Sequence, residues 1–188
     1  MDPWLQEKFH QLTRHRQDHI LRVVDLMAKL AEIHGLPSDQ AYLAGWGHDL
    51  ARELSRAELL TEAERCGIAI DSWFQKEPVL LHGPVAANWL KSRGIDAPLV
   101  YEAIYYHTIG GVGLSPLAKA LFIADGVEPG RNFAGRQALE EAAYQSLDLG
   151  YGRLIEETIS YLQSRGLVPH PYMIAALEAF RGNPWTKH

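Results

Sequence analysis

The stretch "LAGWGHDLAREL", residues 43–54, places a histidine and an aspartate side by side, His48 and Asp49, within an otherwise apolar segment. Helical spacing predicts a helix that begins at Ser38 and continues through this stretch. On that helix, His48 would share a face with Ala41 and Ala44, and Asp49 would lie about 100° further round the axis. Because buried ionisable groups are costly without partners, the rest of the sequence should supply those partners.

The segments around this stretch also have helical spacing. Residues 16–34 carry an apolar stripe that ends at Gly35. Ser55 and Glu58 are spaced as a capping box at the start of the next helix, which Gly67 ends. Further helices are predicted near residues 82–94, 97–108, 115–125, 136–148, 150–165 and 171–181. Because the alternation typical of strands is scarce, the sequence predicts an all-α helical bundle.

Length and composition limit the class of protein. A chain of 188 residues is long enough for one compact domain. The net charge of −5 lacks the basic field of nucleic-acid binders, so we expect no nucleic-acid partner. The single cysteine, Cys66, allows no intramolecular disulfide, which favours the cytoplasm. We also expect no secretory signal, because the first residues are polar and mixed in charge. No membrane segment is expected either, because no apolar run approaches about 20 residues.

Five predicted helices each bring an ionisable side chain toward the core. These residues are His19, His48 with its neighbour Asp49, His82, His107 and Asp125. A single inward-facing histidine is more often a core residue, but two carboxylates with four imidazoles are costly to bury without a metal. Nitrogen and oxygen donors without a thiolate suit one or two divalent first-row transition ions, rather than calcium or a structural zinc. The set therefore predicts a metal centre.

The order of these residues resembles a known signature. His19 followed by Arg22 and Val23, and then the later histidines and aspartates, resembles the H…HD…H…H…D pattern of the HD-domain superfamily of metal-dependent phosphohydrolases. Three segments are similar to those of the YqeK family, the bacterial symmetrical diadenosine tetraphosphate hydrolases. They are "LLHGPVAA" at 80–87, "YYHTIGGVGLS" at 105–115 and "FIADGVEPGRNFAG" at 122–135. The resemblance covers most of the chain, from residue 12 to residue 170.

The resemblance implies a single HD domain over residues 1–188, with its core at 12–130 and C-terminal helices at 135–182 packed on it. One divalent metal would be held by His19, His48, Asp49 and Asp125, and a second ion by Asp49, His82 and His107. Asp49, His82 and His107 are the residues expected to be catalytic. The implied metal is iron, with manganese or another transition ion as the alternative. A homodimer is also implied, because family members are often dimers.

The implied reaction is the symmetrical cleavage of diadenosine tetraphosphate into two ADP by a metal-activated water. Candidate contacts to this dinucleoside polyphosphate substrate are Arg52, Thr108, Gly110, Lys119 and Arg131. Arg131 is the best candidate, because the Pro129-Gly130 pair delivers it in a loop close to Asp125. Lys119 is the weakest, since helical geometry turns it away from Asp125. An ion pair with Glu128 is the alternative for Arg131.

Arg52 departs from the family pattern, which usually has a lysine shortly after the histidine-aspartate pair. On the predicted helix, Arg52 lies one turn beyond His48, on the metal side. Arginine binds phosphate with a different fork geometry from lysine, so the departure affects the detail of substrate binding rather than the class of reaction.

Two other functions stay open. One is an HD phosphohydrolase that acts on other nucleotides, which the segments around His82 and Asp125 disfavour. The other is a catalytically silent, metal-containing module that senses a nucleotide, which the complete ligand set disfavours. The aromatic residues near the C-terminus would either cover the site or form a dimer contact, and both roles remain open for Tyr172, Phe180 and Trp185.

Overall fold

The computed structural model describes residues 2–182, and Trp185 therefore lies outside the described residues. Helices joined by short loops make up this part of the chain, which contains no strand. The all-α prediction is confirmed. The α-helices are α1 (Pro3–His10), α2 (Arg14–His34), α3 (Ser38–Gly47), α4 (Arg56–Arg65), α5 (Ser72–Lys76), α6 (His82–Ser92), α7 (Pro98–Tyr106), α8 (Pro116–Val127), α9 (Arg136–Gln145), α10 (Leu147–Ser164) and α11 (Pro171–Gly182). A short 3₁₀ helix, Pro78–Leu81, precedes α6.

The centre of the bundle is formed by α2, α3, α7 and α8. Helix α2 packs on α3 and α8, and α7 packs on α6 and α8. The apolar stripe predicted for α2 is buried, since Ile20, Val23, Met27 and Leu30 are all completely inaccessible. Burying each such side chain contributes about 1.5–3 kcal/mol to folding, so the stripe fixes the face of α2 that points inward. His19 lies beside this stripe.

The prediction of one helix through residues 43–54 is wrong, because α3 ends at Gly47. The N–H of His48 still donates a helical hydrogen bond to the carbonyl oxygen four residues earlier. The N–H of Arg52 instead donates to the carbonyl oxygen of Asp49 at 3.0 Å, which closes a separate turn. In a continuous helix, neighbouring side chains point about 100° apart. The turn allows both members of the histidine-aspartate pair to be buried. The placement of Arg52 on a helix one turn beyond His48 is therefore also wrong.

The boundary between the last predicted helices also differs from the prediction. Helix α9 ends at Gln145, and α10 begins at Leu147 because Ser146 caps it, with its hydroxyl accepting the N–H of Leu149 at 3.4 Å. The capping box predicted at Ser55 is present. Helix α1, which the sequence pattern did not predict, is capped by the side chain of Asp2.

Helix α10 packs along α8, the helix that carries Asp125. Gly126 permits this close approach, because a Cβ atom at that position would lie 2.5 Å from Leu154 Cδ2. The C-terminal helices are therefore held against the helix that reaches the predicted metal centre. Within residues 2–182, no helix combines the length and the apolar character that crossing a membrane requires.

Candidate metal centre

The carboxylate of Asp49 lies between two pairs of histidines. Its Oδ2 atom is 3.6 Å from His19 Nε2 and 3.7 Å from His48 Nε2. Its Oδ1 atom is 3.2 Å from His82 Nε2 and 3.7 Å from His107 Nε2. All five side chains are buried. The turn after α3 thus brings Asp49 into two groups of three potential metal ligands.

Backbone contacts fix three of the histidine rings. His48, His82 and His107 each place Nδ1 within 2.5–2.7 Å of the carbonyl oxygen three residues earlier in the chain. A neutral imidazole that donates from Nδ1 carries its lone pair on Nε2, the atom that faces Asp49. Burial lowers the pKa of His48 to about 4 and also lowers the pKa of His82. These two rings are therefore neutral near pH 7, the form that binds metal.

The Nε2 atoms converge at short distances. His19 and His48 place them 3.3 Å apart, and His82 and His107 place them 3.0 Å apart. Lone pairs this close to one another and to a carboxylate oxygen repel, unless a proton or a cation lies between them. A divalent cation would be attracted to all of these atoms at once. The geometry and the nitrogen and oxygen donors therefore fit a divalent metal site.

Asp49 is ionised in this arrangement. Burial opposes its ionisation, but a proton held between its oxygens and the His48, His82 and His107 rings favours the carboxylate, and the pKa of the Asp49 carboxyl lies well below its usual range. Arg16 Nη1 also donates a hydrogen bond to Asp49 Oδ2. Arg16 is not among the residues predicted from the sequence. Its position three residues before His19, on the same face of α2, is the signal that could have identified it.

His19 is held by two carboxylates from the end of α8. Its Nε2 atom is 3.1 Å from Asp125 Oδ1, and its Nδ1 atom is 3.1 Å from Glu128 Oε1. Burial opposes ionisation of Glu128, but hydrogen bonds from His19 and Arg22 lower its pKa to about 2. A carboxylate behind a ligating histidine fixes the orientation of its ring. The sequence indicates Glu128 only as an alternative ion-pair partner of Arg131, and not as a partner of His19.

Two of the predicted substrate contacts lie beside the centre. Thr108 Oγ1 is 3.3 Å from His82 Nε2 and 3.2 Å from His107 Nε2. Arg131 Nη2 donates to Asp125 Oδ1 at 2.6 Å, and Arg131 Nε donates to the Asp125 carbonyl at 2.9 Å. The main partner of Arg131 is therefore Asp125, because Glu128 Oε1 is 3.8 Å from its Nε.

The other three predicted contacts lie elsewhere. Lys119 donates to Asp148 Oδ1 at 2.6 Å, as expected for a side chain turned away from Asp125. Gly110 has a φ of +64° and packs against Tyr151. Arg52 lies in the turn after α3. None of the three lines the cleft that opens beside the metal centre.

A cleft of about 400 Å³ opens beside the metal centre. His107, Thr108, Asp125 and Arg131 line one part of it. The remaining walls come from α8, α10 and the loop after α8, through Phe122, Gly126, Phe133, Leu154, Glu157, Thr158 and Tyr161. Of the C-terminal aromatic residues that the structure describes, neither Tyr172 nor Phe180 lines the cleft. The cleft thus combines charged residues of the metal centre with aromatic, apolar and polar residues of α8, α10 and the loop after α8.

Comparisons with known proteins agree with this geometry. The model of the HD domain family matches residues 16–130. The symmetrical bis(5'-nucleosyl)-tetraphosphatase of Halalkalibacterium halodurans is 30% identical, over 87% of this chain and 88% of that protein. The protein of the same name from Bacillus subtilis is also 30% identical, over 82% of this chain and 83% of its own.

A solved structure extends the comparison to the whole fold. The crystal structure of a predicted HD superfamily hydrolase involved in NAD metabolism, from Clostridium acetobutylicum, superimposes with a TM-score of 0.90 at 30% sequence identity. The match covers 94% of this chain and 95% of that chain, so it includes the C-terminal helices as well as the region around the metal centre.

Proposed function

The chain belongs to the HD-domain family and, within it, to the family of symmetrical bis(5'-nucleosyl)-tetraphosphatases, and we propose that it cleaves diadenosine tetraphosphate into two ADP. The observation that carries the proposal is the position of Asp49. Each oxygen of its buried carboxylate faces a different pair of imidazole nitrogens, and a cleft opens beside His107, a member of one pair. This arrangement suits metal-assisted hydrolysis of a substrate held in the cleft.

Four imidazoles and two carboxylates would hold the metal. His19, His48, Asp49 and Asp125 would hold one ion, and Asp49, His82 and His107 would hold a second. When bound, divalent ions supply Lewis acidity, which activates water near neutral pH and offsets the charge of phosphate oxygens. The backbone contacts of the rings hold the ligand atoms in place before the substrate arrives, which limits the reorganisation needed during reaction.

The residues beside the metal ligands would position the substrate. Arg131 presents a guanidinium to the cleft, and its fork geometry matches phosphate oxygens. Its present partner is Asp125, so binding of a phosphate would share or replace that contact. The Thr108 hydroxyl lies within 3.3 Å of two ligand nitrogens, where it can donate to an oxygen of the substrate or of the attacking water.

The size of the cleft is consistent with symmetrical cleavage. A volume of about 400 Å³ lies at the small end of the range for ligand pockets, which suits one nucleotide rather than a whole dinucleoside tetraphosphate. With one nucleotide half in the cleft, its phosphates would lie at His107 and Arg131, beside the metal ligands. Breaking the bridge between the second and third phosphates, with addition of water, gives two ADP.

Product identification tests this proposal. The protein should be purified under anaerobic conditions, its metals measured by elemental analysis, and its products with diadenosine tetraphosphate separated by chromatography. We expect ADP as the sole nucleotide product. We propose iron as the resident metal, with manganese as the alternative, because both accept nitrogen and oxygen donors. The formation of ATP with AMP would overturn symmetrical cleavage, and equal turnover by Asp49→Ala would overturn hydrolysis at this centre.

A further inference from the structure

One wall of the cleft comes from α10, which lies outside residues 16–130, the part that matches the HD domain model. Leu154, Glu157, Thr158 and Tyr161 all line the cleft. Their spacing of three, four and seven residues places them on one face of the helix. Leu154 packs against α8 near Gly126, and this contact sets the distance between the wall and the metal centre. The metal-binding region alone therefore does not complete the cleft.

Two exposed aromatic rings meet at this cleft. Tyr161 on α10 is 58% exposed, and Phe133 in the loop after α8 is 36% exposed. Both line the cleft, and the buried ring of Phe122 lines it as well. Exposed rings that share a cavity with charged residues are typical of a site for a flat ligand, because aromatic faces stack on nucleobases.

Two polar groups on the α10 wall, those of Glu157 and Thr158, present hydrogen-bond acceptors to the cleft. The hydroxyl of Thr158 donates to the Leu154 carbonyl at 2.7 Å, which leaves its oxygen lone pairs to accept. Glu157 offers a carboxylate, and within residues 2–182 it forms no hydrogen bond or ion pair. A ligand that satisfies this wall must present N–H or O–H donors at the edge of a flat ring. The amino group of adenine is such a donor.

From these features we propose that the aromatic part of the cleft is the base subsite, which binds the purine of one nucleotide half. The base stacks on Tyr161 and Phe133, and Glu157 accepts a hydrogen bond from its exocyclic amino group. The proposal rests on the proposed function for the identity of the substrate, because the phosphates are then held at His107, Asp125 and Arg131. Selection for the base therefore depends on α10, a helix that carries none of the predicted metal ligands.

The test is the binding of two nucleotides to the metal-loaded protein by calorimetry. ADP carries the amino group, whereas purine riboside 5'-diphosphate lacks it. Tyr161→Ala and Phe133→Ala should each raise the Kd of both nucleotides roughly tenfold, the size of effect seen when base stacking is removed. Glu157→Leu should raise the Kd of ADP several-fold and leave the Kd of purine riboside diphosphate unchanged. Tyr42→Ala, which removes a tyrosine that is 44% exposed away from this cleft, should change neither.

Every other result contradicts part of the proposal. Unchanged ADP binding in both aromatic variants would overturn the base subsite, and an equal loss of both nucleotides in Glu157→Leu would overturn the amino contact. If Phe133→Ala does not fold, as judged by circular dichroism, Phe133→Leu replaces it, since it keeps the apolar bulk and removes the ring. Tripolyphosphate, which has no base, should bind all variants like the original protein.

The failure of this proposal differs from the failure of the proposed function. If ADP binding depends on Tyr161 and Phe133 but diadenosine tetraphosphate is not hydrolysed, the base subsite stands and the hydrolase proposal fails. If two ADP are formed and every cleft variant keeps the original KM, the hydrolase proposal stands and the base subsite fails. In the supporting result, KM rises in the aromatic variants while kcat changes little.

Discussion

The metal centre and the α10 wall of the cleft are built in opposite ways. In the centre, the side chains of Asp49 and its four histidines are buried, and each has several polar contacts within the chain. On the wall, Tyr161 is 58% exposed and Glu157 is exposed as well. Reacting groups have to be held in fixed positions, whereas the exposed side chains on the wall are accessible to a ligand.

This difference has an energetic consequence. Removing one member of a buried polar network leaves the other members charged and unsatisfied, at a cost of several kcal/mol. Replacing an exposed side chain on a helix surface usually changes stability by less than about 0.5 kcal/mol. Substitutions in the centre should therefore disturb both folding and chemistry, while those on the wall should change ligand preference alone.

The largest effect is expected for Asp49→Asn, which keeps the shape of the side chain and removes its charge. Both ligand groups share this carboxylate, so the variant should lose metal from both. Hydrolysis should fall by at least about a thousandfold, since the lost charge stabilisation amounts to several kcal/mol. Metal content by elemental analysis and initial rates are the measurements. Asp18→Asn, at an aspartate whose side chain is 40% exposed and paired with Arg14, should behave like the original protein.

A smaller effect is expected for Glu128→Gln, which weakens the contact that orients the His19 ring. Substitutions behind a ligating histidine typically lower metal affinity by 10- to 100-fold. Competition with a chelator of known affinity measures this change directly. Glu140→Gln provides a control, because Glu140 is a partly buried glutamate that is likewise paired with an arginine, Arg136, but lies on α9. Equal affinities in Glu128→Gln and the original protein would show that ring orientation does not depend on Glu128.

Gly126 lies where α8, the helix that carries Asp125, packs against the α10 wall. A larger residue at this position should change the shape of the cleft. In Gly126→Ala the new Cβ atom would lie 2.5 Å from Leu154 Cδ2, so α10 or the leucine side chain must move. We expect the free energy of unfolding to fall by about 1–2 kcal/mol because of overpacking. The better helix propensity of alanine offsets part of this cost. The Kd for ADP should rise while metal content stays constant.

Thermal unfolding and calorimetry measure both effects of Gly126→Ala. Gly182→Ala is the control, because nothing lies within 4 Å of a Cβ atom at that position. Loss of metal in Gly126→Ala, with ADP binding unchanged, would mean that α10 supports the centre rather than the cleft.

The centre could be predicted from the sequence because its residues follow helical spacing. His19, His82, His107 and Asp125 each lie on the inward face of a helix or at its end, and a period of 3.6 identifies that face. His48 and Asp49 are the exception, since their burial depends on a turn that the helical pattern does not indicate. Both side chains lie beside the other predicted histidines, but in a turn and not in the predicted helix.

The remaining features depend on tertiary contacts. Glu128 reaches His19 from a position 109 residues away, and Arg16 reaches Asp49 across 33 residues. The α10 wall lies beside the cleft because α8 and α10 pack closely at Gly126 and Leu154. Spacing along the chain carries no information about such contacts, because they arise from how separate helices pack.

The smallest effect is expected for Lys119→Ala. This variant also tests whether the phosphates of the substrate contact Lys119 outside the cleft. Lys119 pairs with Asp148, whose side chain is 66% exposed, and such pairs contribute about 0–1 kcal/mol. Lys119→Ala should keep kcat/KM within twofold, whereas Arg131→Ala should lower it about tenfold, because a charged hydrogen bond to phosphate is lost. Both are measured with diadenosine tetraphosphate. If Lys119→Ala lost as much activity as Arg131→Ala, the phosphates would also contact Lys119, and the cleft would not hold the whole phosphate chain.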